Sequence, residues 1–220
     1  HLEGRAVVTQ DAAGLAQKGG STWSHVQIAE QAEAIGSAKV DTAKADLVLA
    51  CDALVAAGPA TLALMQPART RVALNRHRSP TASFLSSPDW KYPEDACVAA
   101  LGSAVGEGCV ASIDAHTMAL ALLGDAIYAN PLLLGFAWQK GWIPLGSEAI
   151  HQAIRLNAVQ VERNLLAFDW GRRLAVEEKP ARGPETPAEA SQPRELRRQR
   201  ESAAGASGVP VQWVARGAGT

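Results

Sequence analysis

Cysteine is scarce in this chain of 220 residues. There are three, Cys51, Cys97 and Cys109, and no CxxC pair. Three scattered thiols do not make a disulfide framework, and they fall short of the four thiolates that usually hold a cubane iron–sulfur cluster. They are what a cytoplasmic protein with free thiols carries. No His, Cys, Asp or Glu cluster has metal-ligand spacing, so no metal site is expected. Long apolar runs are lacking as well. The longest, Met118–Ile127, is interrupted by Gly124 and Asp125 and is well short of the ~20 residues that cross a bilayer. The N-terminus shows no basic stretch leading into an apolar core, so no signal peptide is expected. Charge of one sign is missing too. The net charge is -1, which leaves no electrostatic footprint for nucleic acid or an anionic membrane. GxSxG, GxGxxG and GxxxxGKS/T are all absent, so no serine elbow and no standard nucleotide loop can be argued.

What is present is ordinary globular material up to about residue 175. Hydrophobic residues make up 47% and charged residues 20%, enough for one domain of about 150–200 residues plus a tail. The composition then changes. From Glu177 to Gly208, Leu196 is the only large apolar residue. Such a segment cannot bury enough surface to offset its ordering entropy. The reading is a domain over 1–175 and a disordered Pro/Glu/Arg-rich tail over 176–220. The run at 209–214 reads as an isolated strand-like stretch with nothing local to pair with.

Within 1–175, strand and helix patterns alternate. Ala6–Thr9, Trp23–Ile28, Leu47–Ala50, Arg71–Leu74 and Val110–Ile113 read as strands, Leu47–Ala50 being a continuous apolar run of the buried, parallel kind. Ala53–Met65 reads as helix interrupted at Gly58-Pro59. His116–Ala129 reads as one helix. Asn130-Pro131 reads as an N-cap and first-turn proline opening a second that ends near Lys140, with Gly141 at C′. Ser147 reads as the cap of a third, Glu148–Leu156, and a fourth runs from about Ala158 to Ala175. Strands alternating with helices predict an α/β fold with a mostly parallel sheet, followed by C-terminal helical hairpins.

In an open α/β sheet, ligands bind beyond the carboxyl ends of the strands. Asp11 and Gly14 follow the first strand, Cys51 and Asp52 the third, Asn75 the fourth and Asp114 the fifth. A parallel sheet would gather these along one rim. Asp and Asn also stand at strand ends simply because they cap helices and make turns. The loop from Gly14 through Gln17, Lys18, Gly19 and Gly20 combines backbone amides able to cradle an anion with one lysine charge. As a bare pattern it is equally a tight turn with a solvated lysine. His25, on a strand, reads as a hydrogen-bonded structural histidine, and Trp138 and Trp142 as core or interface anchors.

At Gly14–Ile28, "GLAQKGGSTWSHVQI", the chain resembles the gamma-type domain of 2-oxoacid:ferredoxin oxidoreductases, closest to the indolepyruvate class. "ADLVLACDALVAAG" (Ala45–Gly58), "LLGDAIYANPLLLGFAWQKGWIPLGSEAIHQAIRLN" (Leu122–Asn157) and "VERNLLAFDWGRR" (Val161–Arg173) resemble later parts of it in the same order. The resemblance covers roughly 1–175. It implies a Rossmann-like fold and a component of an enzyme that oxidatively decarboxylates an aryl 2-oxoacid to its acyl-CoA and passes the electrons to ferredoxin. Thiamine diphosphate and 4Fe-4S clusters would be held by partner domains or subunits, with coenzyme A as co-substrate and no cofactor on this chain alone. Gly14, Gln17, Lys18, Gly19, Gly20 and Ser24 would form a loop facing the substrate or cofactor, and Cys51, Asp52, Asn75 and Asp114 the adjacent rim. The family's opening strand and GxGGxG loop are not matched. The sheet is therefore expected to lack its first strand–loop–helix unit, which predicts two unpaired strand edges and poor solubility. Two rival readings are a non-catalytic interaction module or fragment of that enzyme, and a free-standing nucleotide-binding protein, which the missing glycine turn disfavours.

Overall fold

The structure is a computed structural model that describes residues 2–13, 22–78, 92–177 and the strand 212–217. Six strands form one sheet: β1 (Ala6–Ala13), β2 (Thr22–Ala29), β3 (Leu47–Ala50), β4 (Arg71–Asn75), β5 (Val110–Ile113) and β6 (Gln212–Gly217), in the order β1-β2-β6-β3-β4-β5. β3, β4 and β5 are parallel neighbours, while β1 and β2 form an antiparallel pair. The parallel α/β expectation holds for the β3–β4–β5 half. The first half departs from it, because β1 and β2 pair antiparallel.

The tail supplies a second departure. Gln212–Gly217 is not an isolated stretch. It lies between β2, to which it is parallel, and β3, to which it is antiparallel. Its partners are distant in sequence, so no local pattern could announce them. β6 thus pairs the facing edges of β2 and β3.

Seven helices are described: α1 (Ala53–Ala56), α2 (Pro59–Leu62), α3 (Glu94–Val105), α4 (Ala115–Leu123), α5 (Ala129–Gln139), α6 (Ser147–Asn157) and α7 (Val161–Glu177). Side chains of β3 alternate between the sheet's two faces. Leu47, Leu49 and Cys51 join Ala73 and residues of α4, α5 and α7 in one core. Val48 and Ala50 join Val72, Leu74 and residues of α1 and α3 in the other. Because successive strand side chains point to opposite faces, this alternation makes three layers with the sheet in the middle.

Several helix boundaries correct the sequence reading. His116–Ala129 is not continuous. α4 stops where Gly124 turns left-handed, Asp125 accepts from the Ile127 amide, and a short 3-10 turn (Ala126–Tyr128) leads into α5. α5 starts at Ala129, so Asn130 is not its cap and Pro131 sits inside the first turn, where a missing N–H costs nothing. Gly146 rather than Ser147 precedes α6. The segment 53–65 is two short turns, α1 and α2, with Pro59 opening the second. α3 adds a helix to the sequence reading, bracketed by Pro93, by Glu94 and Asp95 in the first turn and by Gly106 at the end.

α5 and α7 cross at near-contact distance. A Cβ on Gly135 would lie 1.9 Å from the Phe168 carbonyl oxygen, and one on Gly171 would lie 1.9 Å from that of Leu132. Two glycines thus let the helices meet backbone to backbone, with fully buried Leu132, Phe136 and Phe168 packed around them.

Candidate functional site

The parallel strands β3, β4 and β5 end at a common edge, and Asn75 ties that edge together. Its side chain is buried. Its Nδ2 donates to the Cys51 carbonyl at 3.2 Å, and its Oδ1 accepts from the amides of His77 (3.2 Å) and Ala115 (3.0 Å). One carboxamide therefore satisfies the backbone where β3 ends, where β4 runs out and where α4 begins.

Asp52 and Asp114 stand on either side of it as helix caps. Asp52 Oδ1 accepts from the amides of Leu54 (2.8 Å) and Val55 (3.2 Å) at the start of α1. Asp114 accepts from the Thr117 amide (2.9 Å) and hydroxyl (2.7 Å) at the start of α4. Cys51 is buried against the helical core, and burial, then the charge of Asp52, pushes its thiol up to about 12. A thiol in that environment stays protonated at neutral pH and is a poor nucleophile. The four rim residues expected from the sequence are thus brought to one edge, where Asn75 ties backbone, Asp52 and Asp114 cap helices and Cys51 packs in the core.

An open cavity of about 440 Å3 lies beside them. Among the described residues it is lined by Arg76, His77, Arg78, Glu94, Ser112, Ile113 and Asp114. Glu94, at the start of α3, receives Arg76 Nη2 at 3.1 Å and Arg78 Nη2 at 2.7 Å on its two oxygens. Burial alone would raise its carboxyl, but the hydrogen bonds from Arg78 and Arg76 and their charges together hold it below the usual carboxylate value. His77 stacks on His116 with ring centroids 3.6 Å apart and planes 12° from parallel. Its Nδ1 lies 3.8 Å from Asp114 Oδ1. Burial, then the neighbouring His116, lowers the His77 pKa against the opposing pull of Asp114. Arg76, Arg78, Glu94 and the two histidines were not singled out from the sequence. The alternation Arg-His-Arg directly after a buried strand was the signal available.

By strand direction, the carboxyl end of β1 faces the same edge as those of β3, β4 and β5, since β1 is antiparallel to β2, β2 parallel to β6 and β6 antiparallel to β3. The loop expected there falls outside the described residues, which takes Gly14, Gln17, Lys18, Gly19 and Gly20 with it. Ser24 is described. It is buried, and its hydroxyl donates to Asp11, which lies within β1 rather than after it. His25 is buried and accepts from the Val40 amide at 3.2 Å, the structural role expected of it. Trp23 and Trp138 are half-buried and donate to Thr61 Oγ1 (3.1 Å) and the Leu145 carbonyl (2.7 Å), and Trp142 packs on the helical core. None of the three is fully exposed. Among the described residues there is no group of three metal-ligating side chains and no helix long and apolar enough to cross a membrane.

A family model described as pyruvate ferredoxin/flavodoxin oxidoreductase matches residues 1–174, which is most of the chain. None of the curated proteins compared with the chain matches it.

Proposed function

The chain belongs to the pyruvate ferredoxin/flavodoxin oxidoreductase family, and we propose that within it the chain serves the indolepyruvate class as part of a 2-oxoacid:ferredoxin oxidoreductase. The reaction is the oxidative decarboxylation of an aryl 2-oxoacid with coenzyme A, giving carbon dioxide, the acyl-CoA and two electrons for ferredoxin. The observation that carries the 2-oxoacid:ferredoxin oxidoreductase part of this reading is the family match over 1–174. The resemblance of Gly14–Ile28 and the three later stretches points to the aryl substrate class.

Such an enzyme needs thiamine diphosphate for the carbanion and iron–sulfur clusters for the electrons. The donor set here does not fit a cluster. The chain has three cysteines, all buried, against the four thiolates a 4Fe-4S cluster usually takes. The clusters, and the thiamine diphosphate with them, then belong to partner domains or subunits. This chain's share is to pack against them, in the cytoplasm, with the Gly14–Thr22 segment facing the thiamine-bearing partner or coenzyme A and Lys18 offering a point charge to a carboxylate or phosphate. A second reading, a packing module without a catalytic residue of its own, is favoured by the rim: Asp52, Asn75 and Asp114 all make capping or tying hydrogen bonds.

The test is capture of partners by the tagged full chain from its own lysate. The eluate is assayed for thiamine diphosphate, iron and indolepyruvate-dependent reduction of a viologen dye. Activity with indolepyruvate above pyruvate supports the aryl class. Activity with pyruvate alone leaves the family and removes the class. A partner that lacks both cofactors removes the assembly. In the captured enzyme, Lys18→Ala raises the Michaelis constant for coenzyme A or 2-oxoacid if that loop faces them; unchanged constants remove the assignment.

A further inference from the structure

The cavity beside the rim has a chemistry that the assembly reading does not use. Two guanidiniums, Arg76 and Arg78, are pinned by one carboxylate, Glu94, through the Nε and Nη2 edge of each. The Arg76 and Arg78 side chains remain 55% and 69% exposed. A guanidinium has five N–H donors in a rigid fork, so each retains an Nη1 group that these bonds to Glu94 do not use. His77 adds a flat aromatic wall, held in place by its stack on His116 and by Asn75 accepting from its amide. Ser112 and Ile113 line the cavity alongside.

Charge decides which anion suits this arrangement. Arg76 and Arg78 carry two positive charges, and Glu94 and Asp114 carry two negative ones, so the lining is neutral among the described residues while His77 is uncharged. A neutral lining offers directional donors without the excess positive charge that a phosphate dianion or a polyphosphate needs to offset its desolvation. A monoanion with a flat apolar body uses both features, its carboxylate on the arginine forks and its ring on the His77 wall. About 440 Å3 is within the usual size range for small-molecule pockets, ~300–1,000 Å3.

We propose that the cavity lined by Arg76, His77, Arg78, Glu94, Ser112 and Asp114 is a binding site for a planar aromatic monocarboxylate. The site is on this chain alone and independent of turnover. Its failure would leave the assembly reading standing, and failure of that reading would leave the site.

The experiment is calorimetric titration of the full chain with benzoate, acetate and inorganic phosphate in turn. Benzoate saturates a single site, acetate binds at least tenfold more weakly for want of the ring, and phosphate binds no better than acetate. Arg78→Gln weakens benzoate at least tenfold, and His77→Ala brings benzoate down to the affinity of acetate, with the unliganded melting temperature of each variant used to verify folding. Glu94→Gln removes one negative charge from the lining and shifts the preference towards phosphate. The proposal is overturned if benzoate does not saturate, if Arg78→Gln and His77→Ala bind benzoate as the parent does, or if phosphate binds the parent chain more tightly than benzoate.

Discussion

The α5–α7 crossing and the strand-end rim are held by opposite means. At the crossing the decisive feature is the absence of atoms. Gly135 and Gly171 lack the Cβ that would collide with the Phe168 and Leu132 carbonyls, and the contact is then closed by shape. At the rim the decisive feature is the placement of a few polar atoms, with carboxamide or carboxylate oxygens of Asn75, Asp52, Asp114 and Glu94 each accepting from named donors. A shape-closed contact should fail abruptly to one added methyl and be indifferent to pH. A polar rim should fail in graded steps, one hydrogen bond at a time, and respond to protons.

The largest effect is expected at the crossing. Gly135→Ala or Gly171→Ala drives a Cβ into backbone that cannot yield locally. The helices must separate, and the expected loss is at least about 3 kcal/mol of unfolding free energy. Urea denaturation measures it; a loss under ~1 kcal/mol in either variant would show that the helices slide easily and end the contrast. Next is Asn75→Ala, which strands one carbonyl and two amides at the rim. The cost is about 2–4 kcal/mol, read by the same denaturation, because unsatisfied buried groups lose their full solvation. If Asn75→Ala costs no more than an average surface change, water replaces the carboxamide and the rim is looser than its geometry.

Glu94→Gln comes third, at about 1 kcal/mol, since both arginine partners are exposed and screened. Its proton linkage has a definite sign. The folded-state pKa of Glu94 is depressed, so its contribution is present above its unfolded value, ~4.3, and is lost as pH falls through the lower folded value. The parent should therefore lose stability on acidification through that window more steeply than Glu94→Gln. Parallel slopes would remove the clamp from the account. The smallest effect is that of His77. Its folded pKa is also lowered, but for a base this means the unfolded chain takes up the proton first. Stability falls as pH drops from about 6.5 towards the folded value and then levels. Proton NMR titration of the His77 ring checks it: a midpoint at or above the free-histidine value would reverse the sign.

The sequence made the rim more legible than the crossing, and for a physical reason. Asp52, Asn75 and Asp114 follow short apolar strands, and a polar residue at such a place has few structural options. Their positions could be read locally, although a capping role and a ligand-facing role look the same until the partners are seen. The three parallel strands were legible as β-branched or apolar runs. The role of Gly135 was invisible because glycine within a helix pattern reads only as a weakness, and its partner is thirty-odd residues away in another helix. β6 is legible as a strand but its place in the sheet is not, on the same ground: whether a short strand pairs depends on edges elsewhere in the chain. Arg76, His77 and Arg78 become a site only when α3 brings Glu94 against them.

Asn75 also has a consequence in time. The amides of His77 and Ala115, far apart in sequence, donate to the same oxygen. Swinging that one side chain away frees both at once. In hydrogen–deuterium exchange the two amides should report one common opening event, with matched protection, while the strand amides of β4 beside them exchange on their own, slower clock. A single torsion of a buried carboxamide would then set how often the end of β4 and the start of α4 come apart together.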